Sequence, residues 1–134
     1  LSIVLSELVY LHAGKREVFD IYEESDSIYW MLAESVIIAP VLESAFMFLL
    51  IEICWKILSK SAYRDMLSII IVGAIFGALH FYNSYYIFVT AIIGGWYTFS
   101  YLFLKSKYTI KMAFWGLVLI HAMDNLITVF LDYL

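Results

Sequence analysis

Cysteine and proline occur once each and glycine six times in a chain of 134 residues. A single cysteine, Cys54, excludes an internal disulfide framework. So little proline and glycine excludes a linker or low-complexity class. Charge is the next scarcity: 15% of residues are charged, against about 25% in an ordinary soluble domain. The net charge of −4, from eight basic and twelve acidic residues, excludes the basic face that nucleic acid requires, so no nucleic-acid partner is expected. What fills the chain instead is apolar. Hydrophobic residues make up 64% and aromatics 19%, where a soluble domain has ~45–50% apolar residues. So small a domain cannot cover its surface with the polar side chains present. The expected class is all-α, a polytopic transmembrane helical bundle lying in the lipid bilayer. The chain starts at Leu1, and a missing N-terminal segment is expected.

A hydrocarbon layer about 30 Å thick needs roughly 20 mostly apolar residues to cross it. The pattern predicts one integral membrane domain over 1–134, with a partial first helix at 1–12. Residues 28–58 form a long, mostly apolar stretch, but as one helix they would extend about 46 Å. Pro40 removes a backbone donor and disfavours helix before it. The expectation is therefore a short helix at 28–38, then a span at about 41–57. Further spans are predicted at 66–82, 85–104 and 109–133, the first two separated by an Asn83-Ser84 turn. The loops at 56–64 and 105–111 carry Lys56, Lys60, Arg64, Lys105, Lys107 and Lys111. The opposite side has only Lys15 and Arg16 among five acids between Glu17 and Asp26. The positive-inside rule makes the lysine-rich loops cytoplasmic. The acidic 13–27 segment reads as a solvated connection. Tyr29, Trp30, Tyr63 and Tyr133 read as interface anchors.

Ionisable groups inside spans are expensive, roughly 2.5–3.5 kcal/mol each on insertion scales, so each needs a reason. They are Glu34, Glu43, Glu52, His80, His121 and Asp124, with the amide Asn125 beside them. Counted from the basic end, Glu43, His80 and Asn125 lie about 20–21 Å deep and His121 about 15 Å. His121 and Asn125, at i and i+4, share a helix face. Four polar groups from three helices at one level suggest one site. Glu52 is expected to pair with Lys56 one turn on. Glu34 faces headgroups or lines an entrance, and Asp124 pairs with a histidine or faces the bundle interior. Cys54 reads as a small core hydrophobe. Gly73 and Gly77, with Gly94-Gly95 on the next span, read as helix-packing positions.

These residues resemble a known family, the intramembrane CAAX-processing endopeptidases and their bacterial relatives, called CPBP or Abi. Its signature runs Glu-Glu-x-x-x-Arg, Phe-x-x-x-His, His-x-x-x-Asn. Phe76 to His80 matches the second motif and His121 to Asn125 the third, while Ala39-Pro40-Val41-Leu42-Glu43 looks like the approach to the first. The resemblance spans roughly residues 36–128. It departs where Ser44 replaces the second glutamate and Phe48 the arginine. Losing both is coherent, because an arginine kept without its acid would be a costly buried charge.

The resemblance implies peptide-bond hydrolysis by a glutamate-activated water. Carried over, Glu43 is the general base, His80 holds and polarises the water, and His121 and Asn125 donate to the oxyanion. No cofactor is expected; a zinc ion on Glu43, His80 and His121 is the lesser alternative, since the H-E-x-x-H spacing is absent. No nucleophile is expected: Ser44 lies about 100° around the helix from Glu43, and Cys54 is near the interface. The partner is a prenylated protein or an apolar peptide, and the setting a bacterial or archaeal cell membrane. The other readings are a binding, immunity or regulatory protein with an impaired site, and a transporter or channel subunit.

Overall fold

Long apolar runs with few breakers leave the backbone one way to satisfy its polar groups inside lipid, which is to turn each segment into a helix. The computed structural model describes residues 28–81 and 83–132, and these are helical almost throughout. The order is α1 (Ile28–Ala33), a π-helical turn (Glu34–Ile38), α2 (Ala39–Ile57), α3 (Arg64–Leu79), α4 (Ser84–Lys107) and α5 (Ile110–Asp132). The expected helix at 1–12, the acidic 13–27 segment and Tyr133 lie outside the described residues.

Among the described residues, three helices are long and apolar enough to cross a membrane: Glu34–Ile57, Ser84–Lys107 and Ile110–Leu131. Their outward faces carry large apolar residues such as Leu42, Leu49, Phe88, Leu119 and Phe130. Only lipid makes that surface tolerable over so wide an area. The protein is an integral membrane protein.

The structure differs from the expected break at Pro40. The helix runs through it, and only the hydrogen-bond register changes. The Ala39 N–H bonds Glu34 O, five residues back. That wider turn accommodates a ring that would otherwise press on the carbonyl one α-helical turn earlier. In the same register the next donor belongs to residue 40, and proline has none. Ser35 O is thereby left without its backbone partner.

The core joins four helices through Met47 and Ile51, Val72 and Phe76, Tyr97 and Tyr101, and Ala113 and Leu117. The α3–α4 contact is the closest. A Cβ on Gly73 would lie 2.7 Å from Ala91 O, and one on Gly77 2.5 Å from Ile87 O, so only glycine lets the two backbones approach this far. Asn83 starts α4, its Oδ1 accepting the Tyr86 N–H at 2.8 Å.

At the basic end, Trp55 holds three helices together. Arg64 lies 3.7 Å from its ring centroid and Lys105 3.9 Å from it. The Trp55 Nε1–H donates to Asp65 Oδ1 at 2.9 Å, which also accepts from Arg64 Nε at 3.0 Å. Burial pushes the Asp65 carboxyl up, but these hydrogen bonds and the Arg64 and Lys105 charges outweigh it and hold the group below its usual range. Glu52 does not take the expected partner, Lys56. It accepts from Lys105 Nζ at 2.6 Å and the Tyr101 hydroxyl at 2.7 Å. Both partners come from α4, and a two-donor site shielded by packing beats an exposed pair along one helix.

Candidate active site

His80 was expected inside a helix that continued to residue 82. Instead α3 ends at Leu79 and His80 caps it. Its backbone N–H turns to Gly77 O at 3.0 Å, leaving Phe76 O without the donor a regular helix would give it. The His80 ring fills that vacancy with its own Nδ1, 2.8 Å from Phe76 O. A carbonyl can only accept, so Nδ1 carries the proton. In the neutral ring Nε2 is then a lone pair, and it lies 3.9 Å from Glu43 Oε2.

Glu43 sits on the second turn of α2, past the π-turn. His121, on α5, brings Nε2 to 3.5 Å from the same oxygen. Three residues from three helices therefore meet around Glu43 Oε2. The Glu43 side chain is 38% exposed and that of His80 24%, against 4% for His121. One side of the site is open and the other is packed. The packed side is aromatic: Tyr97 lies against His121 with centroids 4.6 Å apart, and Phe76 is 4.5 Å from His80 and 6.2 Å from His121. Phe76 in turn rests on Gly94, where a Cβ would come within 2.7 Å of it.

Asn125 does not stand with these three in the same way. Its Nδ2 donates to Ser35 O at 2.8 Å, the carbonyl that Pro40 leaves unpaired. One amide hydrogen is thus engaged in joining α5 to the π-turn. Asp124 accepts from the Tyr97 hydroxyl, and the Tyr97 ring in turn lies against His121.

Sequence reasoning missed Ser44. Its Oγ lies 3.3 Å from His121 Nδ1, and the residue is fully buried. Phe48, four residues on, packs edge-on to Tyr101 at 5.7 Å and to Phe114 at 5.6 Å. An aromatic contact between α4 and α5 occupies the place where the resembling family carries an arginine. Among the described residues, no group of three His, Cys, Asp or Glu side chains is arranged to hold a metal ion.

The family described as type II CAAX prenyl endopeptidase, Rce1-like, matches residues 25–127. No curated protein matches the chain, and no solved structure does.

Proposed function

Since this chain belongs to the Rce1-like family of type II CAAX prenyl endopeptidases, we propose that it hydrolyses a peptide bond inside the membrane with a water activated by Glu43 and His80. The observation that carries the reading is the pair of acceptors facing each other 3.9 Å apart, with His80 committed by Phe76 O. A water between them gives one hydrogen to each at ordinary hydrogen-bond length, roughly 2.8 Å. Its oxygen lone pair is left pointing outward toward a peptide carbonyl. Glu43 takes the proton as the C–O bond forms. His121 Nε2 and the remaining Asn125 hydrogen stabilise the oxyanion. Collapse of that intermediate breaks the C–N bond as the proton passes from Glu43 to the leaving amine.

No metal enters this scheme. The substrate reaches the open Glu43–His80 side as a lipidated or apolar peptide, and the lipid bilayer is the protein's other partner. Lysine-rich loops at 56–64 and 105–111 face the cytoplasm of a bacterial or archaeal cell.

The test uses the purified chain in liposomes with a fluorogenic prenylated peptide. Glu43→Gln and His80→Ala are expected to lower kcat by about 10² or more while helix content and yield stay at wild-type values. Cleavage by Glu43→Gln at the wild-type rate refutes the proposal. A second reading is favoured by Ser44 and Phe48 standing where the family has acid and arginine. It is a binding or immunity protein that holds peptide without turnover, and it takes over if the wild-type chain binds peptide but Glu43→Gln leaves the cellular phenotype intact.

A further inference from the structure

We infer that Ser44 is a positioning residue that fixes His121 as the hydrogen-bond donor of the site, in the tautomer opposite to that of His80. The functional consequence rests on the hydrolytic reading above; the tautomer itself does not.

The argument begins with Glu43. A carboxylate partly removed from water needs a donor, and the two groups nearest its Oε2 are imidazole nitrogens. His80 cannot donate from Nε2 while neutral, because its proton is held on Nδ1 by Phe76 O. His121 Nε2 is the nitrogen that can turn a proton toward it, across a long contact of 3.5 Å. That choice makes His121 Nδ1 a lone pair, which requires a donor of its own. Ser44 Oγ–H is at 3.3 Å. The serine is fully buried, so the hydroxyl is held at the ring by packing.

Two consecutive residues of α2 thus grip one ring from both nitrogens. The helical offset of about 100° between Glu43 and Ser44 places them on opposite edges of the imidazole. Tyr97 and Phe76 confine the ring plane, but neither can tell Nδ1 from Nε2. Glu43 at Nε2, which can only accept, and the Ser44 hydroxyl at Nδ1 do that together. The result is a division of labour: His80 accepts from the water, while His121 Nε2–H faces Glu43 in the resting site and is released to the oxyanion once Glu43 has taken the water's proton. Glutamate or alanine at position 44 would lose the neutral hydroxyl donor to Nδ1 and weaken the preference for the His121 proton on Nε2.

The experiment is 15N NMR of the full chain in nanodiscs, labelled at histidine, with His12→Gln to leave only the two site signals. The wild type is expected to show Nδ1 protonated in His80 and Nε2 protonated in His121 at neutral pH. Ser44→Ala should convert the His121 signal to a mixture of tautomers and leave His80 unchanged. Ser44→Cys, near in volume but a weaker donor, should fall between the two and covers the case in which alanine fails to fold. In the peptide assay Ser44→Ala should lower kcat by about 10²-fold with KM nearly constant. A wild-type His121 protonated on Nδ1 overturns the inference, as does an unchanged His121 tautomer in folded Ser44→Ala. Absence of cleavage alongside the expected wild-type tautomers defeats the hydrolytic reading and leaves the Ser44 assignment standing.

Discussion

Replacing Asn125 by alanine should destabilise the bundle, and replacing Pro40 as well should restore most of what is lost. Ser35 O has no backbone partner because residue 40 lacks an N–H in the π register, and Asn125 Nδ2 supplies the bond at 2.8 Å. Leaving a fully buried carbonyl unsatisfied costs about 1–3 kcal/mol, an upper bound for the part-buried Ser35 O, while side-chain hydrogen bonds measured inside membranes average about 0.6 and reach about 1.7 kcal/mol. An expectation of about 1–2 kcal/mol follows, a factor of roughly 5–30 in the unfolding constant. Pro40→Ala gives residue 40 a donor five positions after Ser35. In that background Asn125→Ala should cost less than about 0.5 kcal/mol, a coupling near 1 kcal/mol. Any loss from the buried proline ring cancels in the cycle. Unfolding of all four proteins by SDS in mixed micelles, followed by helical circular dichroism, measures the coupling. Additive effects, within about 0.5 kcal/mol, would show that the amide does not replace the missing proline donor.

Gly77→Val should separate α3 from α4, since even the first added carbon meets Ile87 O at 2.5 Å and Ala91 Cβ at 2.6 Å. A loss of about 1–3 kcal/mol is expected in the same unfolding assay, with tolerance equal to wild type counting against the close contact. Asp65 should give the basic end a pH dependence. Its carboxyl is held below the usual range in the fold, so its stabilising effect is full above the unfolded value of about 3.9 and fades as pH falls through the lower folded value. The stability difference between wild type and Asp65→Asn should shrink on acidification from neutral pH toward pH ~3; a constant difference would refute the assignment.

Much of the architecture was legible because lipid penalises gratuitous polarity. Glu43, His80 and His121 announced themselves by depth alone, and they meet around one oxygen. Other features leave no such mark. The π-turn has no pattern of its own beyond a proline already read as a break. The end of α3 at His80 has neither glycine nor proline behind it; a side chain there takes over the backbone's hydrogen bond. Glu52 had two lysines in reach, and only the tertiary fold selects Lys105 over Lys56. Ser44 was dismissed by a helical-wheel angle, which describes where side chains leave the axis but not which atoms of a flat ring they reach.

The early stop of α3 also acts on the surrounding lipid. Sixteen residues make a rod about 24 Å long, beside neighbours long enough to cross a layer about 30 Å thick. Acyl chains next to it must shorten or tilt, and headgroups are drawn inward. Thinning at the His80 end would, on the hydrolytic reading proposed above, lower the penalty a peptide bond meets on entering oil. Short-chain lipids would relieve the mismatch and thick, sterol-stiffened ones aggravate it, making bilayer thickness a control on access to Glu43 and His80 if the proposed hydrolysis holds.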